Sequence, residues 1–181
     1  KNKNYKILIS DDDSRDDTIN YIKQIKKKYK SKVIVNFNKK NFGYGANIKK
    51  CIKYAFKNKF SHAVMIHGDN QYDPKYSSIM IENLIKNKNL SATVGSRMTK
   101  KMNAIKGKMP IYKFIGNIFL TGIFNLLNGT SFTDCHTGYW AYNLKLINKN
   151  SFKNLDNNFC FDVDLRHKLI SEKKEIKEIP I

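Results

Sequence analysis

Short β-branched and aliphatic runs alternate with stretches of helical period along this chain. Ile7-Leu8-Ile9 reads as a buried strand, and Ile19, Ile22, Ile25 and Tyr29 then recur at helical spacing. Ser14 predicts the N-cap of that helix, with Asp17 three residues on as its capping-box partner. Val33-Ile34-Val35 is the next strand, and Ile48, Ile52, Ala55 and Phe56 mark a second helix. A third strand falls at Ala63–Ile66. Asp73-Pro74 predicts an N-cap and first-turn proline opening a third helix through Ile79, Met80 and Leu84. Thr93-Val94 is a fourth strand. Strands alternating with helices imply an α/β fold: a doubly wound, mainly parallel sheet with helices on both faces.

Beyond Gly95 the pattern loosens. Residues 96–110 lack a clear period and predict a loop. Residues 111–128 are apolar but broken by Lys113, Asn117 and Asn125, which predicts one amphipathic helix or two short ones packed in the core. A membrane interface is the alternative setting for this stretch. Gly138–Tyr142 predicts a strand, Phe161–Ile170 a helix and Ile176–Ile181 a final strand.

A chain of 181 residues fits one domain, and 41% hydrophobic with 12% aromatic content fits a globular one. There is no apolar run of about 18 residues to predict a membrane-spanning helix. The net charge of +19 invites a nucleic-acid reading. Its carriers argue against that: 34 residues are Lys or Arg, but the arginines are only Arg15, Arg97 and Arg166. Scattered lysine is solvated and has no planar fork for phosphate or base edges, so no nucleic-acid partner is expected. A basic face does favour anionic lipid headgroups. Cys51, Cys135 and Cys160 are odd in number and far apart, which suggests neither a disulfide framework nor a zinc site. The expected setting is cytoplasmic, with a peripheral position at the inner face of a membrane as an option.

Ligands of open α/β sheets bind beyond the carboxyl ends of the strands, and polar clusters fall there. Asp11-Asp12-Asp13-Ser14 closes the first strand, and its carboxylates suit a ribose or base N–H, Asp12 above all. Asn41-Phe42-Gly43-Tyr44-Gly45 precedes a helix, where glycines allow close backbone approach and N–H groups face an anion. A tight turn explains them equally well. His67, Asp69 and Gln71 alternate after the third strand, so an extended segment points all three one way. One nitrogen and two oxygens suit Mg or Mn bridging a diphosphate, while a lone histidine at a strand is more often structural, which leaves both readings of His67 open. Arg97 at the fourth strand end fits a phosphate grip or an ion pair. Asp134 and His136, followed by Asp162 and Asp164, fit a base with its orienter, substrate-positioning groups or a plain polar loop, and spacing alone does not choose among them.

Taken in order, these motifs resemble the family 2 glycosyltransferases of GT-A fold, in the branch of polyprenyl- or dolichol-phosphate sugar transferases. The family's DDxSxDxT-like motif is matched by Asp11, Asp12, Ser14, Asp16 and Thr18, with Asp13 where Gly is usual. Its NxGxGxA-like turn is matched by Asn41, Gly43 and Gly45, and its DxDxQxxP-like motif by Asp69, Gln71 and Pro74. His67 stands in place of the first Asp of that motif. The strings HGDNQYDP, GSRM, KGKMPIYKFIGN, HTGYWAY and FDVD are similar to a bacterial subgroup that shares the histidine. Trp140 stands where Arg is usual.

The resemblance implies inverting transfer from a nucleotide-diphosphate sugar to an acceptor, such as a polyprenyl phosphate at a membrane surface or a glycan precursor. It implies that Asp11, Asp12, Asn41, Gly43 and Gly45 hold the nucleotide, and that Asp69, Gln71 and His67 hold Mg or Mn. Arg97, with Asp162 and Asp164, meets phosphate or acceptor. A lipid-phosphate acceptor is already ionised, whereas a sugar hydroxyl needs a base, for which Asp134 or His136 is the candidate. The family also implies a first strand, ending in a P-x-Y-N-E-like segment, that precedes residue 1. On this reading residues 1–181 are one catalytic domain cut at both ends. A sugar nucleotidyltransferase and a non-catalytic nucleotide-sugar-binding relative are the alternatives.

Overall fold

The computed structural model describes residues 5–99 and 110–181. Strand β1 (Ile7–Asp11), helix α1 (Thr18–Tyr29) and strand β2 (Val33–Phe37) come first, and β1 and β2 pair in parallel. Helix α2 (Tyr44–Lys57), β3 (His62–Met65), α3 (Tyr76–Lys86) and β4 (Leu90–Ser96) follow. Helix α4 (Ile111–Asn128), β5 (Trp140–Asn143), a 3-10 turn (Lys149–Phe152), α5 (Phe161–Ser171) and β6 (Glu175–Pro180) complete the order. Most of the loop expected over 96–110 lies outside the described residues.

The second sheet has the order β3-β5-β4-β6. Strand β5 runs antiparallel to both β3 and β4, while β6 is parallel to β4. Thus β3, β4 and β6 run one way, as the strand–helix alternation predicts, while the reversed β5 inserted between β3 and β4 makes two of this sheet's three pairings antiparallel. The β1-β2 pair forms a separate sheet, and α2 packs on both β1 and β3.

Alternation along β5 sorts the core onto two faces. Trp140 and Tyr142 join Ala92 and Val94 of β4 under Ile48 and Ile52 of α2 and Leu165 and Leu169 of α5. Tyr139 and Ala141 face the other way, with Leu90 and Ile179, under Met80 and Leu84 of α3. The sheet therefore carries helices on both faces.

Three local expectations need correction. Helix α1 begins at Thr18 and its N-cap position is Asp17, so Ser14 lies three residues too early to cap it; Ser14 Oγ instead donates to Asp11. Asp73 accepts from the Lys75 backbone at 2.9 Å and so caps a lead-in turn, with α3 beginning at Tyr76. Residues 111–128 form one helix, and its apolar side is not in the core. Its buried positions are Asn117, Thr121 and Phe124, whereas Ile111, Tyr112, Ile115, Phe119, Leu126 and Leu127 are exposed. The polar stripe turns inward because Asn117 donates to the buried Asp134 at 2.8 Å and Thr121 Oγ1 accepts from the Cys135 N–H at 3.2 Å.

Candidate functional site

Because β5 is reversed, its first residues lie beside the carboxyl ends of β3 and β4. His67, Arg97 and Gly138 meet at this edge around the ring of Tyr72. His67 touches that ring edge-on with centroids 5.3 Å apart, and the Arg97 guanidinium lies 5.9 Å above it. Gly138 donates its N–H to Tyr72 Oη at 3.0 Å.

The acidic cluster after β1 is bound inward. Buried Asp11 accepts from the Ser14 N–H and hydroxyl. Asp12 accepts from the N–H groups of Phe42 (3.1 Å) and Gly43 (2.9 Å) and from Asn38 Nδ2 (2.6 Å). Asp12 is thus the anion at the N-terminus of α2, the place the glycine turn offers one. Asn41 Oδ1 also accepts from the Gly43 N–H, at 3.0 Å. Gly43 has φ +94°, and a β-carbon there would lie 2.6 Å from the Asn157 carbonyl oxygen. A β-carbon on Gly45 would meet the Asp156 carbonyl at 2.4 Å. These glycines serve close packing against the 156–158 loop, which the motif alone left open between turn and phosphate cradle.

The segment after β3 is not extended throughout. Asn70 is left-handed at φ +60°, and the Gln71 N–H turns back to Asp69 Oδ1 at 3.1 Å. Strict alternation of His67, Asp69 and Gln71 therefore fails at Gln71, which is exposed. His67 and Asp69 still face each other, with Nδ1 and Oδ2 4.0 Å apart. Burial holds His67 below the usual imidazole range, against the pull of Asp69 and with the push of Arg97. A neutral imidazole nitrogen and a half-exposed carboxylate make a two-donor set for Mn or Mg whose other positions fall to phosphate oxygens and water. Among the described residues there is no cluster of three or more His, Cys, Asp or Glu.

Behind His67 lies a contact that spacing did not reveal. Tyr44 Oη is 2.8 Å from His67 Nε2 and donates to Asp162 Oδ2, also at 2.8 Å. Asp162 is thereby joined to the edge of β3, whereas Asp164 points elsewhere and accepts from the Asp156 N–H. Two residues on a helix are about 200° apart, so the pair Asp162/Asp164 divides between two faces. Burial pushes the Asp162 carboxyl up to about 7, against the Tyr44 hydrogen bond and the Arg166 charge.

Asp134 is not placed to act as a base. It is fully buried and takes Arg97 Nε at 2.9 Å and Nη2 at 3.2 Å, with Asn117 Nδ2 at 2.8 Å. Burial raises its pKa, but Arg97 and Asn117 outweigh that and hold it below the ordinary carboxylate value. The two contacts fix the orientation of Arg97, whose side chain stays 25% exposed. His136 lies beside Arg97 with its surface open to solvent and donates its backbone N–H to Asp134 at 3.3 Å; partial desolvation, helped by the Arg166 and Arg97 charges and opposed by Asp134, holds it below the usual histidine range. Trp140 is buried, and its ring faces the buried guanidinium of Arg166 at 5.0 Å. Tyr44, Tyr72, Asn117 and Arg166 were missed as site residues. Only Tyr44, set between two turn glycines, and Arg166, one of few arginines, left any signal.

Residues 1–150 match the model of glycosyl transferase family 2. The UDP-N-acetylglucosamine–dolichyl-phosphate N-acetylglucosaminyltransferase of Methanococcus voltae is 31% identical over 154 residues, 78% of this chain and 60% of that protein. Two uncharacterized proteins of Methanocaldococcus jannaschii are similar as well. One is 30% identical over 113 residues (62% of this chain, 46% of the relative) and the other 31% over 150 (82% and 58%). The chain thus spans 46% to 60% of the length of these relatives. A solved structure from Desulfovibrio desulfuricans G20, named as a nucleotide-diphospho-sugar transferase, superposes with TM-score 0.56 at 11% identity. It covers 97% of this chain and 58% of that one, and supports the fold.

Proposed function

The chain belongs to glycosyl transferase family 2, and on that premise we propose that it transfers a sugar, with inversion, from a nucleoside-diphosphate donor to a lipid phosphate at a membrane surface. The observation that carries the reading is the His67–Asp69 pair facing Arg97 around Tyr72 at the carboxyl edge of the sheet. His67 and Asp69 would hold the cation, which when bound neutralises charge on the departing diphosphate. Arg97, aimed by Asp134, presents positive charge to phosphate at the same edge. Asp12 fixes the turn that starts α2 and so shapes the nucleotide side of the cleft.

The lipid-phosphate acceptor rests on three supports. The Methanococcus voltae relative is named for dolichyl phosphate. Asp134 is committed to Arg97, and an ionised phosphate acceptor needs no base. The outward row of α4, from Ile111 (74% exposed) to Leu126 (84%) and Leu127 (78%), carries no acidic residue and suits a lipid surface. No helix among the described residues is long and apolar enough to cross a membrane. A peripheral position at the inner face follows as part of the proposal.

The test is release of nucleoside diphosphate from a panel of nucleotide sugars with Mn or Mg, with and without a polyprenyl phosphate in vesicles. Acceptor-dependent release, reduced at least ~100-fold in Asp69→Ala, is the expected result. No release from any donor would sink the transferase reading and favour a binding relative. Formation of a nucleoside-diphosphate sugar with release of pyrophosphate, from a nucleoside triphosphate and a sugar phosphate, would instead favour the nucleotidyltransferase.

A further inference from the structure

His67 is held on three sides. Tyr44 bonds its Nε2, Tyr72 meets it edge-on, and a β-carbon on Gly138 would lie 2.5 Å from its Cε1. The ring therefore has one orientation, with Nδ1 towards Asp69. What remains is which nitrogen carries the proton, and the hydrogen-bond chain decides it.

Tyr44 has a single phenolic proton. An ionised Asp162 offers only lone pairs, so Tyr44 donates to Oδ2. The phenolic oxygen then meets His67 Nε2 with a lone pair, and that contact is a hydrogen bond only when Nε2 carries the proton. A neutral imidazole has one N–H, so Nδ1 is left with its lone pair facing Asp69. Were Nδ1 to hold the proton, it would be unable to bind a cation.

We propose that Asp162, acting through Tyr44, is a positioning residue that fixes His67 in the Nε2–H tautomer and so makes Nδ1 a cation donor beside Asp69. The proposal rests on the cation-dependent reading given above and adds the device that prepares the site before the cation arrives. Metal-bound histidines commonly give their second nitrogen to a partner that sets the tautomer; here the partner is a phenol, and a carboxylate stands behind it. Asp162 lies in the first turn of α5, where the helix end favours a negative charge. Its second oxygen is buried without a hydrogen-bond partner, so the Tyr44 bond is the contact that aligns it. Tyr44 itself resists ionisation through burial and the adjacent carboxyl, and it stays a donor.

The chain has four histidines, which suits selective ¹⁵N labelling of the ring nitrogens, with His67→Gln identifying the resonance. Spectra are taken without metal at ~pH 8.5, where Asp162 is ionised and His67 neutral. The expected result is the Nε2–H tautomer at His67. Tyr44→Phe and Asp162→Leu should each give a tautomer mixture and weaken Mn²⁺ binding, read from the Mn²⁺ EPR signal, by ~10-fold or more. Asp162→Asn, which still accepts from Tyr44, should retain the wild-type tautomer, a rescue that a purely structural role would not produce. An Nδ1–H tautomer in the wild type overturns the proposal. So does Tyr44→Phe with tautomer and Mn²⁺ affinity unchanged, or a wild-type protein that binds no Mn²⁺. None of these readouts uses a sugar donor, so a failed transfer assay is separable from a failed relay.

Discussion

Asp162 should make the folded protein less stable at neutral pH than at acid pH, and Asp162→Asn tests this directly. The side chain is 6% exposed, and its Oδ1 is buried without a partner. Burial pushes its carboxyl up to about 7 in the folded state, against ~3.9 in an unfolded chain. The folded state therefore binds this proton more tightly than the unfolded state does. Its penalty is absent below about pH 4, grows as pH rises, and is complete above about pH 7. A shift of roughly three pKa units corresponds to about 4 kcal/mol at ~1.36 kcal/mol per unit. Asparagine cannot titrate, and it keeps an oxygen for Tyr44. Urea unfolding of both proteins at matched pH between ~4.5 and ~8.5 cancels the other titrating groups. The stability of the variant relative to wild type should climb by up to about 4 kcal/mol across that range. A difference that stays flat from ~pH 5 to ~pH 8 would refute the claim that folding desolvates this carboxylate.

Gly138→Ala places a methyl 2.5 Å from His67 Cε1 and 2.6 Å from Nε2; the ring must move, and Mn²⁺ affinity should fall ~10-fold with a stability loss of only about 1–3 kcal/mol. Gly43→Ala combines φ +94° with a β-carbon 2.5 Å from Asn158 Oδ1, so denaturant unfolding should show a loss above ~1 kcal/mol. Asp134→Ala removes the partner of the partly buried Arg97 charge and leaves the Asn117 amide unpaired. Its main effect should be a stability loss of about 3–5 kcal/mol; full stability with abolished turnover would restore the base role. Leu126→Glu with Leu127→Glu alters two exposed side chains of α4. Thermal stability should hold within ~0.5 kcal/mol per site, while flotation with anionic vesicles should drop at least ~10-fold; unchanged flotation would remove α4 from the membrane reading.

How much was legible depended on how local the cause was. Ile48, Ile52 and Ala55 repeat at helical spacing because α2 lays one stripe on the sheet, and the period alone shows this. Helix α4 misleads the same logic: its apolar residues are exposed, and its buried ones are Asn117, Thr121 and Phe124. No periodicity rule can know that the buried carboxylate of Asp134 waits for Asn117. Likewise Ser14 has the chemistry of a cap but is used by Asp11, one turn before the helix begins.

The sequence by itself determined the alternation of strands and helices, the family, and which residue types gather at the strand ends. Those are properties of local period and motif order, and they survive without knowledge of any contact. Only the tertiary structure decided what each polar group is for. Asp12 is spent on the Phe42 and Gly43 N–H groups, Asp134 on Arg97, and Asp162 reaches His67 through Tyr44, which lies 118 positions before Asp162 in the chain. A buried polar group must find a partner wherever the fold brings one, and that partner is set by packing between distant elements, which spacing along the chain does not encode.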